Sequence, residues 1–546
     1  VTIVDGGAAG GRTKPESTGR ASGGAAVPRP WIRRNDYTAL EIPRLGEWEP
    51  HLSVSVIVPA HGHQDKLDLV LAALAEQSYP SRLMETVVVD DGSEPPLRLP
   101  EARPENTRLI ASDEGGWGSA HAVTCGAAAG DGDVVLRLDA DMLVYREHVE
   151  SQLRWHHAAD YLAVLGHKLF VPFTPGEPDP ESVRAAVAEG RAAELFDAGS
   201  AEKHWIERTI DRTEALAAAD HRAHTVFIGA SGSLHRDLFD EAGGLAGEMV
   251  LGGDSEFAYR LAQAGAVFVP DLDSSSWHLG RTQMQTRREA GARYRRPFVA
   301  TRVPDFRDWR NQGPRQWAVP YVDVVVDVGA ASLEDAETTL APLLAGTVPD
   351  IRVRVVGTWS ALSEERRSPL DEDLLDLRLI REAFRGDSRV SFAEEEPERD
   401  IAVPFRLHLP AGCAPTRRAV ERITEVADQH RVGLVRLTDP SVDAFGPRPV
   451  RLERTAAFMR ARRLGADQGG PEELDAAVDR LYGLHWIGGA GIVGDEDEEP
   501  PRDWGTRLRA AERKADAQRA RADRLERRLR WLGRGLPRRL VERLTR

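Results

Sequence analysis

Apolar positions in the first half of the chain fall into short branched runs separated by stretches of helical period. Ser53-Val-Ser-Val-Ile-Val-Pro59 reads as a strand. A helix is predicted from about Asp65 to Gln77, with Leu67, Val70, Leu71 and Leu74 three and four apart and Asp65 as its amino-terminal cap. Glu85-Thr-Val-Val-Val-Asp90 is a second strand closed by Asp91-Gly92-Ser93, which makes a right-handed strand–helix–strand unit. Thr107–Ala111 reads as a third strand, and a glycine-rich turn at Gly115-Gly116-Trp117-Gly118 opens a small-residue helix through Ala129. Val134-Val-Leu-Arg-Leu-Asp-Ala-Asp-Met142 then ends an apolar run in two aspartates. Such a run suits a parallel strand covered on both faces, and open α/β sheets bind ligands just past the strands' carboxyl ends. Asp139 and Asp141, two apart, can turn both carboxylates to one cation or diphosphate.

Bulk properties narrow the picture. A chain of 546 residues exceeds one ordinary core, so two or three domains are expected. No apolar run approaches the roughly 20 residues that span a bilayer, and the first residues lack the basic-then-apolar pattern of a secretory signal. Cys125 and Cys413, far apart in sequence, indicate neither a disulfide framework nor a cysteine metal site. A cytoplasmic protein fits best. The net charge of −15 argues against nucleic-acid binding, although the last forty or so residues are strongly basic. The turn after the first strand carries only Gly62 where a dinucleotide fold needs Gly-x-Gly-x-x-Gly, which disfavours hydride transfer, and no P-loop is present.

Three linked motifs, Val54-Ser-Val-Ile-Val-Pro-Ala60, Val87-Val-Val-Asp-Asp-Gly-Ser93 and Leu138-Asp-Ala-Asp-Met142, resemble family-two glycosyltransferases of the GT-A fold. The resemblance spans about residues 53–300. It continues through Phe227-Ile-Gly-Ala-Ser-Gly-Ser233 with Asp240-Glu-Ala-Gly-Gly244, through Gly253-Asp-Ser-Glu-Phe-Ala-Tyr-Arg-Leu261, and through Trp277-His-Leu-Gly280. It implies an inverting, metal-dependent enzyme that uses a nucleotide-sugar donor. A nucleoside diphosphate must leave, and a divalent cation on hard oxygen ligands, Mn²⁺ or Mg²⁺, neutralises its charge.

By that resemblance Asp141 ligates the metal, Asp139 binds metal, ribose or both, and His278 is an extra metal ligand. Asp91 contacts the nucleobase, with Asp90 as support, while Pro59 and His61 line the base and ribose pocket. Asp254 aligns with the catalytic base, at the start of a helix where exposed backbone N–H groups suit a carboxylate. Each has a plainer reading: a solvated turn for the acid pair, a helix cap for Asp254, a packed side chain for His278. The family commonly has two adjacent acids where Gly253-Asp254 stands, and Glu256 is a rival base that helical spacing turns away from Asp254. The family's Arg-Asn is here His121-Ala122. Arg281, Arg287, Arg288 and Arg293 read either as a lid over the diphosphate or as a solvated basic face. The segment from about Pro172 to Ala223, with Trp205, has helical spacing and is expected to shape the acceptor site.

The pattern recurs after Pro320. Val322–Asp327, Ile351–Val356, Ser388–Phe392 and Phe405–Pro410 are candidate strands, and a helix is expected around Ala336–Ala345. Pro410-Ala411-Gly412 stands where the first copy has its acid pair, so this copy is either a degenerate repeat or an unrelated α/β domain. Residues 447–485 look helical.

The expected organisation is therefore a disordered leader at 1–30, a GT-A domain at 31–310 and a second α/β domain at 320–490. An acidic linker at 491–501 and a basic amphipathic helix at 502–546 follow. Leu508, Ala511, Ala515, Gln518, Ala522, Leu525, Leu529, Leu532 and Leu536 alternate three and four apart in that helix. It reads as a coiled coil for self-association, a peripheral contact with the inner face of the plasma membrane, or a strap along its own acidic body. The expected function is sugar transfer to a glycan or glycolipid acceptor in bacterial cell-surface synthesis. The alternatives are a non-catalytic sugar-nucleotide-binding scaffold and a nucleotidyltransferase.

Overall fold

The structure, a computed structural model, describes residues 27–201, 205–310, 315–438, 450–489 and 491–494. Most of the expected leader and acidic linker, and the whole basic helix at 502–546, lie outside them. Among the described residues no helix is long and apolar enough to cross a membrane.

The first domain contains β1 (Val54–Ala60), β2 (Met84–Asp90), β3 (Thr107–Ala111), β4 (Val134–Leu138) and β5 (Met142–Val144). It continues with β6 (Leu162–Gly166), β7 (Leu169–Val171), β8 (Ser231–His235), β9 (Val267–Asp271) and β10 (Ser276–Leu279). Seven of these form one sheet in the order β3-β2-β1-β4-β8-β6-β9, in which β8 alone is antiparallel to its neighbours. β1 is buried along its whole length, between the helices Gln64–Leu74 and Ser119–Ala129 on opposite faces, which explains its uninterrupted apolar run. The first helix starts one residue earlier than expected. Its N-cap is His63 in the left-handed region, and Asp65 lies in the first turn instead of capping it.

A small sheet, β5-β10-β7, starts directly after the acid pair, because β5 begins at Met142. His278 pairs in register with Met142 of β5 and Phe170 of β7. Residues 31–52 form no regular element beyond one short 3-10 turn at Tyr37–Ala39, as their composition predicts.

The second domain contains β11 (Val322–Asp327), β12 (Ile351–Val356), β13 (Val390–Ala393), β14 (Phe405–Pro410), β15 (Leu434–Thr438), β16 (Arg451–Arg454) and β17 (Leu484–Gly488). Its sheet order is β13-β12-β11-β14-β16-β15-β17, with β16 the lone antiparallel strand. Position by position, this is the order and direction of the first sheet. Val54 pairs with Val134 as Val322 pairs with Phe405, so Pro410 and Gly412 occupy the places of Asp139 and Asp141. The same count along β2 and β12 puts Thr358 in the place of Asp91. Residues 447–485, expected to be helical throughout, also supply β16 and part of β17.

The two domains are bolted together by polar contacts. Arg460, almost fully buried, donates to the carbonyls of Gly265 (2.7 Å), Ala266 (2.9 Å), Ile32 (3.2 Å) and Arg34. Gly265 makes room for this, since a Cβ there would lie 2.8 Å from the Arg460 backbone nitrogen. Tyr259 Oη donates to the Ala402 carbonyl at 2.7 Å, and Arg307 and Arg310 both meet Asp350. The Arg460→Met variant keeps the apolar stem but strips four carbonyls of their donor. A loss of about 3 kcal/mol in unfolding free energy is expected by denaturant titration. A loss below about 1 kcal/mol would mean that water replaces the guanidinium without cost.

Candidate active site

The carboxyl end of β4 gathers the candidate residues. Asp139 and Asp141 follow the strand, and the Asp139 N–H donates to the Ala230 carbonyl at 2.8 Å. Ala230 holds a φ of 86°, a conformation that strains any residue but glycine and that accumulates at functional sites. Arg137, on β4 itself, donates through Nε to Asp139 Oδ1 at 2.9 Å and through Nη2 to Ser119 Oγ at 2.7 Å. Its guanidinium lies flat against Gly229, where a Cβ would come within 2.5 Å of it. The Gly229 N–H in turn faces Asp254 Oδ2 at 3.3 Å. One chain of contacts thus ties the acid pair to the start of the helix Gly253–Gln263.

Asp254 sits in the first turn of that helix, with Oδ1 also accepting from the Ser255 N–H at 2.8 Å. Behind it lies an apolar hollow walled by Phe227, Leu234, Phe239, Leu245 and Phe257. Glu256 is buried and clamped by Arg260 at 2.6 and 2.7 Å, so it braces the helix.

His278 is buried and stacked on Phe170, with ring centroids 4.4 Å apart. Its Nδ1 lies 3.0 Å from the Gly280 carbonyl. A carbonyl only accepts, so Nδ1 carries the proton and the Nε2 lone pair is left facing Asp141 Oδ1 at 3.6 Å. Burial lowers the imidazole's pKa against the pull of Asp141 and Asp139, which keeps it neutral. Burial also raises the Asp141 carboxyl, reinforced by Asp139, while His278 and Lys66 oppose. Asp141 Oδ1 and His278 Nε2 could share a divalent cation, while Asp139 is engaged by Arg137; among the described residues these three are not gathered as closely as Asp113, His121 and Cys125.

Past the carboxyl ends of β1 and β2, His61 Nδ1 faces the Asp91 carbonyl at 2.9 Å. The Asp91 carboxylate accepts from the Gly118 N–H at 2.6 Å and from Ser112 Oγ at 3.1 Å. That ties it to the glycine-rich turn while each oxygen keeps a further lone pair. Asp90 is spent on its own loop, accepting from the N–H groups of Ser93 and Leu97, both at 2.9 Å. Burial works against its charge, but the Ser93 and Leu97 hydrogen bonds hold its pKa below the ordinary value.

Two lysines were not anticipated. Lys66 donates to the Leu279 carbonyl at 2.6 Å and lies 3.7 Å from Asp141 Oδ2. A cation in the first turn of a helix opposes the helix dipole, and that was the available signal. Lys168 is buried between β6 and β7. Burial lowers its pKa, and the charges of Asp139, Glu207 and Asp254 pull it back up. Its signal was a polar interruption in the apolar run Leu162–Val171. Arg287, Arg288 and Arg293 lie exposed at or along the helix Arg288–Arg302.

The strand order and the acid pair at the sheet's carboxyl end define a GT-A-type α/β domain. Residues 55–237 match glycosyl transferase family 2, and the chain carries a domain of that family. Asp254 and His278 lie beyond the matched residues. A 4,4'-diaponeurosporenoate glycosyltransferase of Staphylococcus haemolyticus is 28% identical over 172 residues, which cover 30% of this chain and 44% of that protein. The chain thus spans less than half the length of this curated relative. Among solved structures, the mannosyltransferase PcManGT from Pyrobaculum calidifontis, in complex with GDP-Man and Mn²⁺, is similar at 20% identity and a TM-score of 0.29. That match covers 50% of this chain and 64% of the other. S. aureus TarS 1–349 is similar at 16% identity and a TM-score of 0.28, covering 42% and 60%. At scores this low the strand order above, and not the superpositions, defines the fold.

Proposed function

We propose that the protein is a divalent-cation-dependent glycosyltransferase that moves a sugar from a nucleotide-sugar donor to an acceptor hydroxyl with inversion. The observation that carries this reading is the fixed tautomer of His278, which aims a lone pair at Asp141 beside Asp139. Asp139, Asp141 and His278 would hold Mn²⁺ or Mg²⁺, whose charge offsets that of the departing diphosphate. Pro59, His61 and Asp91 would receive the base and ribose, with Asp139 reaching the ribose or the cation.

Asp254 would accept the proton of the acceptor hydroxyl as its oxygen attacks the anomeric carbon and the nucleoside diphosphate leaves from the opposite face. The N–H groups of Gly229 and Ser255 fix the carboxylate for that task. Arg137 keeps positive charge beside Asp139 and Asp254. The exposed indole of Trp205, at the start of the helix Trp205–Arg212, offers a face on which an acceptor sugar could stack. We take the acceptor to be a bacterial cell-surface polysaccharide or glycolipid intermediate, glycosylated in the cytoplasm at the inner face of the plasma membrane. The second domain, with Pro410, Gly412 and Thr358 at the acid positions, would be a non-catalytic scaffold.

The test is turnover of UDP-, GDP- and dTDP-sugars with Mn²⁺, read as nucleoside diphosphate released, on wild type and Asp254→Asn. Loss of the base should lower kcat by about 10²–10⁴-fold while leaving the donor-induced thermal shift in place. Undiminished turnover in Asp254→Asn would remove that residue as base. Release of pyrophosphate would make the protein a nucleotidyltransferase, and no product with any donor would favour the scaffold.

A further inference from the structure

A second group of potential ligands lies outside the acid pair. The helix Ser119–Ala129 carries His121 and Cys125, four residues apart and therefore on one face, and Asp113 reaches that face from the far side of the glycine-rich turn. His121 Nε2 is 3.0 Å from Asp113 Oδ1 and 3.6 Å from Cys125 Sγ, and the three ligand atoms all lie within 4.8 Å of one another. Nε2 also faces the main-chain oxygen of Asp113 at 3.1 Å, so in the metal-free protein this nitrogen carries the ring proton, which a bound ion would displace. Zinc bound tetrahedrally, at about 2.3 Å to sulfur and about 2.0–2.2 Å to nitrogen and oxygen, sets its ligands about 3.3–3.6 Å apart. The Nε2 spacings of 3.0 and 3.6 Å lie just below and at the top of that range, and the carboxylate and sulfur lie within 4.8 Å of each other, so modest side-chain shifts would enclose an ion.

The imidazole is held for this role. A Cβ at Gly116 would lie 2.9 Å from its Nδ1 and one at Gly247 3.1 Å, so two glycines pack on that side of the ring and Nε2 points at the aspartate and thiol. His121 is buried, Cys125 half-buried and Asp113 exposed, which leaves one side open to solvent for a fourth, water ligand. A thiol, an imidazole and a single carboxylate favour a thiophilic borderline ion over the hard Mn²⁺ or Mg²⁺ suited to Asp139 and Asp141.

We propose that Asp113, His121 and Cys125 bind a thiophilic divalent cation, zinc by this donor set. The ion clamps the turn 113–118 onto the helix that follows it. Cys125, which sequence spacing left without a metal role, supplies the thiolate. The clamped turn includes Gly118, whose N–H holds Asp91. The site does not depend on the sugar-transfer reading and stands or falls separately from it.

The test uses the full reduced chain, stripped of metal with a chelator, desalted and titrated with Co²⁺. One equivalent should give a thiolate-to-cobalt charge-transfer band together with visible bands of tetrahedral intensity, both abolished by adding Zn²⁺. Cys125→Ser should lose the charge-transfer band. His121→Ala, which keeps the thiol, should bind cobalt at least roughly tenfold more weakly. Asp141→Asn should keep the spectrum, because it alters only the other site. In wild type, Zn²⁺ should also slow alkylation of Cys125 by roughly tenfold or more, a readout that needs no variant to fold. Absence of the band in wild type, its persistence in Cys125→Ser, or unprotected alkylation at saturating Zn²⁺ overturns the proposal.

Discussion

Asp141→Asn is expected to lower kcat by about 10³-fold or more at saturating Mn²⁺ while leaving the metal-free protein at least as stable as wild type. The two effects share one cause. Burial raises the Asp141 carboxyl above its ordinary value, the neighbouring Asp139 adds to that, and His278 and Lys66 only partly compensate. A carboxyl whose folded pKa lies above its unfolded one costs no stability at low pH. The penalty appears as pH rises through the unfolded value and is complete once pH passes the folded value. At pH 7.5 the metal-free fold therefore carries a charge it disfavours, and a cation relieves it. Asparagine keeps the shape and removes the charge, and with it the ligand. The check is a pair of thermal scans, with chelator and with Mn²⁺. Wild type should gain stability from Mn²⁺ and the variant should gain none. A metal-free variant less stable by more than about 1 kcal/mol would mean that Lys66 and His278 already stabilise the ionised carboxylate.

Much of this arrangement was legible in the residues. β1, β2 and β4 read as strands because buried parallel strands are apolar on both faces, and Asp139 and Asp141 stood out as the abrupt end of one such run; β11, β12 and β14 read as strands because the pattern recurs after Pro320. The resemblance and helical spacing separated Asp254 from Glu256, which is held by Arg260. β16 was missed for the opposite reason. Arg451-Leu-Glu-Arg454 is charged yet sits between two other strands, because Glu453 meets Arg399 and Arg451 while Arg451 also meets Asp475. Paired charges can occupy a sheet interior, and pattern reading sees only the charges. Lys66, Lys168 and Arg137 escaped because their meaning lies in what folding brings next to them. Nothing within a few residues of Lys66 points to Asp141.

Acid should destabilise the first domain through its buried histidines. Burial lowers His148 to about 4 and His157 to about 4, and it pushes His156 well below the usual imidazole range. His235 and His221 are lowered in the same way. The rings of His156 and His235 pack edge to face at 5.3 Å, so protonating both would also place like charges in contact. For a histidine whose folded pKa is depressed, the unfolded chain binds the extra proton first. The stabilising contribution is whole above about pH 6.5 and drains away as pH falls toward the folded value. At pH 5 one buried group moved from 6.5 to about 4 costs about 2 kcal/mol, with less for the partly exposed His157. His148 should therefore lower the unfolding free energy by about 2 kcal/mol between pH 7.5 and pH 5, with His156 adding in the same direction, measured by urea titration at each pH. A flat profile over that interval would show that the helix His148–Ala158 opens or hydrates enough to accept the protons. His278 titrates in the same direction and would lose its free lone pair there, so acid inactivation alone cannot report on the cation site. The separating measurement is Mn²⁺ affinity at pH 6, where the fold should still be intact and only the ligand set should have begun to weaken.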